Sequence, residues 1–452
     1  MGIRMARSET SGIGSGSALR PRPVSSRPIT GSTMVRRTLA VLSLLALPLL
    51  LGAIRRLEGR RLTPQPRGMV LGLYAGLPDY DYADELRRIR DTGSTCVSLQ
   101  AIYRMETGQA NEVIRHPTSS PTEESLRRTF RQAREQGLRM MFFPTINIRD
   151  EATSATWWRG NIEPSDWELW WRNYTAFNVH LARLAQEGGV EWYSVGTEMA
   201  STHRFDAQWR RLIAEVRRVF HGKVTYSVNF DAHDTFTFGD ALDVVGMNTY
   251  DPIAKHDDQP SAEAIRDGWW WIVYKARTLQ ARFDRKVMIT EVGYPSVQGA
   301  HKGPWDFRSE KPVDLELQDR LVGGALDVLS NWGEGAAVFY YLYGEHLSER
   351  PVGGPQDRTY AVWGKPVERT LRSYLAKPIF EDRIPLQDLH RDEALVQILA
   401  SYHRKLRTFE DAEMPAWVPA WEQAHPHQAR AVAELLAREP MPLRKVPKGS
   451  ER

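Results

Sequence analysis

The chain has 452 residues, 42% hydrophobic and 26% charged, which suits a globular protein larger than one average domain and excludes a disordered or fibrous one. Its formal net charge of +4 misleads: the first 61 residues hold eleven Arg, no Lys and two Glu, a balance of +9, which leaves the remaining 391 at −5. The body is therefore mildly acidic and shows no basic clusters interleaved with aromatics, so no nucleic-acid partner is expected.

Residues 1–33 are rich in Ser, Gly, Pro and Arg and are expected to be disordered. Gly12-Ile13-Gly14-Ser15-Gly16 follows no strand and is not a phosphate loop. Met34 precedes Arg36-Arg37 and then seventeen uncharged residues, 38–54, in the manner of a start residue and signal sequence. At about 1.5 Å per residue this run reaches roughly 26 Å, the short end for a membrane span. Leu51-Gly52-Ala53 is a poor cleavage site. An uncleaved membrane anchor over 34–66 is the first expectation and a cleaved signal the second, the body being held on the extracytoplasmic side or secreted. Pro64 and Pro66 read as a linker.

From residue 67 the apolar pattern alternates between strands and helices. Strand candidates lie at 69–74, 95–99, 138–146, 190–195, 224–228, 242–247, 287–290 and 336–341, and helix patterns at 121–136, 164–186, 261–282 and 366–375. Eight strands in such alternation predict an α/β fold, a (β/α)8 TIM barrel over 67–376. An open doubly wound sheet would begin with a Gly-rich turn that Leu71-Gly72-Leu73-Tyr74-Ala75-Gly76 does not provide. Beyond 376 the pattern changes to helices at 391–406 and 428–438 around a Pro/Trp-rich connection, so 377–452 is expected to be a helical extension. The single cysteine, Cys96, lies in an apolar run with no base motif beside it and reads as a buried, inert thiol.

Two strand candidates end on a carboxylate. Trp192-Tyr193-Ser194-Val195-Gly196-Thr197-Glu198 is the fourth strand, and Val287-Met288-Ile289-Thr290-Glu291 is the seventh. In a barrel both would sit on the C-terminal face, where catalytic groups gather. Two such carboxylates are the minimum equipment for cleaving a glycosidic bond, although either alone is also an ordinary strand-end residue. Gln100, Asn147 and Asn229 end the second, third and fifth strands and are candidate donors to a sugar, or else loop caps. Trp157, Trp158, Tyr103, Tyr341 and Tyr343 fall on the same face, where they can stack on sugar rings, whereas Trp269-Trp270-Trp271 lies in a helix pattern and reads as packing. No metal or other cofactor is expected: no His-x-His ends the first strand, and His425-Pro426-His427 in the tail has no carboxylate or Cys partner. No G-x-S-x-G offers a serine nucleophile.

The local sequence resembles glycoside hydrolase family 113, whose known members are β-mannanases, within the clan A retaining enzymes. The matching segments are Trp158-Arg159-Gly160-Asn161-Ile162 with Trp171 and Tyr174, then Val195-Gly196-Thr197-Glu198-Met199, Asp243 through Pro252, and Ile289 through Ser296. The resemblance implies that Glu198 is the general acid/base and holds the proton for the leaving group, that Glu291 is the ionised nucleophile, and that Tyr250 donates to it. Many clan A enzymes carry Asn where this chain has Thr197, so the donor to the sugar 2-hydroxyl must come from elsewhere. The implied function is retaining hydrolysis of a β-linked polysaccharide, endo-acting on mannan or a related glycan. The alternatives are an envelope polysaccharide-binding barrel without turnover, or a clan A enzyme of another specificity or with transglycosylase activity.

Overall fold

The computed structural model describes residues 65–148, 157–255, 257–330, 332, 335–342 and 353–377, together with 403, 419, 422–423 and 426–437. Eight strands, β1 (Arg67–Gly72), β2 (Cys96–Met105), β3 (Arg139–Ile148), β4 (Trp192–Thr197), β5 (Lys223–Val228), β6 (Val244–Thr249), β7 (Lys286–Val292) and β8 (Val338–Tyr340), pair in parallel and in chain order. The sheet closes where Gly68 of β1 faces Phe339 of β8. Arg67 reinforces the closure: its guanidinium donates to the Tyr374 carbonyl at 2.6 Å and lies 4.5 Å over that ring.

Seven α-helices follow the strands: α1 (Ala83–Asp91), α2 (Glu123–Glu135), α3 (Trp167–Gly188), α4 (Asp206–Arg217), α5 (Ala262–Phe283), α6 (Leu315–Ser330) and α7 (Pro366–Leu375). The connection from β5 to β6 carries only a short 3-10 turn, Gly239–Ala241, so the barrel departs from strict eightfold alternation there. Helix ends follow local chemistry. Asp166 caps α3 by accepting from the Leu169 amide at 3.0 Å, and Gly189 ends it in the left-handed region at φ 73°. Thr122 and Ser261 cap α2 and α5 in the same way, and Pro366 occupies the first turn of α7.

Alternation along the strands sorts side chains into two layers. Met69 and Leu71 of β1, Val97 and Leu99 of β2 and Val287 and Ile289 of β7 join the layer under the helices. Val70, Cys96 and Met288 join Met141, Phe143, Trp192, Val244 and Phe339 in a second cluster that fills the barrel. Val287, Met288 and Ile289 are fully buried, worth about 2 kcal/mol each by transfer, so β7 is a firm base for the carboxylate at its end. Cys96 is a buried thiol whose pKa burial pushes up.

Past the barrel, among the described residues, a further helix, α8 (Pro426–Ala437), buries Val432 and Leu436. The apolar run at 38–54, the expected disordered start, the helix pattern at 391–406 (His403 excepted) and Tyr343 lie outside the described residues. Among the described residues no helix is long and apolar enough to cross a membrane.

Candidate active site

Both strands that end on a glutamate carry an irregularity just before it. In β4, Ser194 faces Thr225 but Thr197 faces Ser227, so three residues of β4 advance against two of β5. In β7, Met247 faces Ile289 but Asn248 faces Glu291, which leaves one extra residue in β7. Without that bulge, alternation from the interior residue Met288 would send Glu291 toward the helices. With it, the carboxylate turns into the barrel mouth. Glu198 follows β4 at φ 56°, a left-handed backbone that costs a non-glycine residue about 1–3 kcal/mol and is held by its amide bonding to the Ser227 carbonyl at 2.9 Å.

The two carboxyl groups sit in one hydrogen-bonded cluster. Tyr250 donates to Glu291 Oε2 at 2.6 Å, and Gln100 Nε2 donates to Glu291 Oε1 at 3.0 Å. Asn248 Nδ2 donates to Glu198 Oε1 at 2.9 Å and reaches Thr197 Oγ1 at 3.3 Å, while its Oδ1 accepts from Thr290 Oγ1 at 2.7 Å. Arg159 Nη1 donates to Glu198 Oε2 at 3.2 Å. Its bonds to the Ile146 carbonyl and to Asn147 Oδ1 at 3.4 Å fix the guanidinium against the end of β3.

Burial, and then the charge of Glu198, push the Glu291 carboxyl up to about 8; the Tyr250 bond, the Arg159 charge and the Gln100 bond oppose that rise. Glu291 therefore binds its proton more tightly than an ordinary carboxyl. The expectation from sequence put that proton on Glu198. In the structure the raised group is Glu291, which has neutral donors only, whereas the cation Arg159 pairs with Glu198. The Tyr250 hydroxyl is itself held far above the usual phenol range by burial and by the charge of Glu291, so it is a neutral donor throughout the working range.

Of the residues singled out from sequence, Glu198, Glu291, Tyr250 and Gln100 come together directly, and Asn147 joins them through Arg159. Asn229 does not: its amide donates to Asp231 at 2.8 Å and so braces its own loop. Trp158 is partly buried with its ring over Gly160, and its amide donates to Asn161. Tyr341 packs edge-on against Tyr250 at 6.3 Å and against Tyr360 at 5.2 Å. Trp269 is fully buried, with its indole N–H on the Tyr294 hydroxyl. Asn248, Arg159 and Tyr360 were not foreseen. Asn248 lies two residues before Tyr250 and therefore on the same strand face, a signal that was available; Arg159 lay beside Trp158 in a matching segment. Among the described residues no group of three or more His, Cys, Asp and Glu is placed to hold a metal.

Gly293 lets the chain leave β7. A Cβ there would meet the Tyr341 carbonyl oxygen at 2.1 Å, which is backbone and cannot swing aside. Gly293→Ala is expected to destabilise the protein by about 1–3 kcal/mol and to lower activity by displacing Glu291, as thermal melts and initial rates would show.

A closed parallel barrel with buried carboxyl groups at the ends of its fourth and seventh strands, cross-braced by Asn, Gln and Tyr, defines the class as a glycosidase barrel. Glycoside Hydrolase Family 113 matches residues 77–365; the chain belongs to this family and is a glycoside hydrolase. Solved structures share the fold. The family 113 β-mannanase of Alicyclobacillus acidocaldarius in complex with ManMIm is 24% identical, with a TM-score of 0.58 over 70% of this chain and 98% of that one. A family 113 β-1,4-mannanase in complex is 23% identical, with a TM-score of 0.60 over 69% and 99%. A family 5 protein of Bifidobacterium longum subsp. infantis is 16% identical, with a TM-score of 0.51 over 71% and 80%. No curated protein matches the chain.

Proposed function

We propose that this protein hydrolyses internal linkages of β-mannan, or a closely related β-linked glycan, with retention of anomeric configuration. The observation that carries the reading is the hydrogen-bonded cluster that holds both strand-end carboxyl groups, Glu198 through Asn248 and Arg159 and Glu291 through a donor on each of its oxygens. In the first step Glu291 attacks the anomeric carbon as the carboxylate while Glu198 gives its proton to the departing sugar oxygen. In the second, Glu198 takes a proton from water, whose oxygen displaces Glu291 from the sugar. The productive charge state has Glu291 ionised, and Tyr250, Gln100 and the Arg159 charge all favour that carboxylate. Such chemistry needs the carboxyl groups about 5–5.5 Å apart. Mannan is favoured because the family 113 structures that share this fold are β-mannanases. The apolar run at 38–54 supports attachment to a membrane or secretion, outside the cytoplasm where a polymeric glycan is met.

The test is a panel of β-glycans followed by NMR of the first product formed. Mannan should be cut to oligosaccharides of mixed length whose new reducing ends appear first as the β-anomer. Release of the α-anomer first would make the enzyme inverting, and no cleavage of any member would remove the hydrolytic reading.

A further inference from the structure

We propose that Trp305 and Phe230 form a sugar-stacking subsite on the rim of the catalytic face, taking a pyranose ring of an extended β-linked chain away from the point of cleavage. This rests on the glycosidase reading above and deepens it.

Trp305 lies in the connection from β7 to α6 and is 47% exposed, unusual for so large an apolar ring. Phe230 stands just beyond the end of β5. The two rings are stacked, with centroids 5.3 Å apart and planes 13° from parallel. One face of the indole is therefore turned toward Phe230, which leaves the other face and the edge as the surface a ligand would meet. A tryptophan used only for packing buries both faces, as Trp170, Trp209 and Trp269 do here.

The platform is continuous with the wall that holds Glu291. Phe230 packs against the interior cluster containing Tyr250 and Tyr360. Its carbonyl accepts from Lys275 Nζ at 2.6 Å, and the same ammonium pairs with Asp251, next to Tyr250, at 2.6 Å. On the other side, the carbonyl of Pro304 accepts from the Tyr360 hydroxyl. The Tyr360 ring meets Tyr250 at 6.0 Å, and Tyr250 donates to Glu291. Both halves of the stack are thus tied to the residues around the nucleophile, so the indole is held ready before any ligand arrives.

The chemistry points to a sugar ring. A β-linked pyranose has a flat patch of C–H groups on its face and hydroxyls around its edge, so a fixed, half-wet indole suits it: the face covers the C–H patch and the edge hydroxyls keep their water. An extended chain threading the barrel mouth passes the rim, and a ring seated there gains affinity without touching the reacting bond.

Binding is measured by calorimetry with β-1,4-mannohexaose on the Glu291→Gln protein, which cannot turn the ligand over. Adding Trp305→Ala should weaken affinity about ten-fold, Phe230→Ala should weaken it in the same direction, and Trp305→Phe should restore most of the loss. In the active enzyme the Trp305→Ala defect should appear in KM for mannohexaose rather than in kcat. A second measurement needs no substitution at the platform: mannohexaose should protect Trp305 of Glu291→Gln from oxidation by N-bromosuccinimide, read by peptide mass mapping. Unchanged affinity on Trp305→Ala, or unprotected oxidation of Trp305 under saturating ligand, overturns the subsite while leaving the hydrolase reading intact. Failure of Glu291→Gln to bind, together with failure of the wild type to cleave, any β-glycan overturns both.

Discussion

Glu291→Ala is expected to lower turnover by on the order of 10⁴-fold or more, because no other group is positioned to attack the anomeric carbon. Tyr250 and Gln100, which meet its two oxygens, stay behind and leave a small space lined by two donors. Azide or formate fits there. Azide forms a C–N bond on the face Glu291 would have attacked, the glycosidic C–O bond breaks, and the leaving oxygen takes the Glu198 proton. The product is an α-glycosyl azide from a β-glycoside, formed with inversion because the second displacement never happens. Added azide should restore a measurable fraction of the rate, and proton NMR should show the α configuration. Near wild-type activity in Glu291→Ala would falsify the assignment of the nucleophile.

The strand order and the two carboxylates were legible in the sequence because both depend on local pattern. Short apolar runs separated by amphipathic helices give the barrel, and a run that stops on Glu places that carboxylate at a strand end. The helix beginning at Pro366 was readable to the residue, since Pro fixes the first turn. The 3-10 turn Gly239–Ala241 between β5 and β6 was not, because three residues carry too short a pattern to read; no helix was expected in that stretch. Nor was the aim of Glu291. Strict alternation from Met288 sends it outward, and only the pairing of β7 with β6 reveals the bulge that turns it in. The same limit applies to Arg159: its place beside Glu198 is fixed by bonds to the Ile146 carbonyl and Asn147 at the end of β3, and no spacing rule relates two residues 39 positions apart. Asn147 and Asn229 looked alike at their strand ends, yet one holds Arg159 and the other its own loop, a choice made by neighbours and not by residue type.

Burial of an ionisable group at a working site should also leave a mark on stability, and Glu291→Gln is expected to raise it. The Glu291 carboxyl has an ordinary value of 4.5 and stands at about 8 in the folded protein. Its folded value is above its unfolded one, so the contribution of this group to stability is fully present below pH 4.5 and is lost progressively as pH rises through about 8, after which it levels. At pH 7 the gap corresponds to a ceiling of about 3 kcal/mol, since each unit is worth about 1.4 kcal/mol. Glutamine keeps the shape and carries no charge. Its amide can still meet both partners: the oxygen accepts from the Tyr250 hydroxyl, and the NH2 donates to the Gln100 side-chain oxygen once that amide turns over. A gain of about 1–3 kcal/mol, or a rise of several degrees in melting temperature, is therefore expected near neutral pH. The sign of the pH dependence is the stronger test. Melting temperatures of the two proteins should lie close together near pH 4.5, separate as pH rises, and keep a constant gap above pH 8. A gap that stayed flat across this range would mean that Glu291 binds no extra proton on folding, and one that narrowed would mean that its carboxylate is stabilised by its neighbours more than burial opposes it.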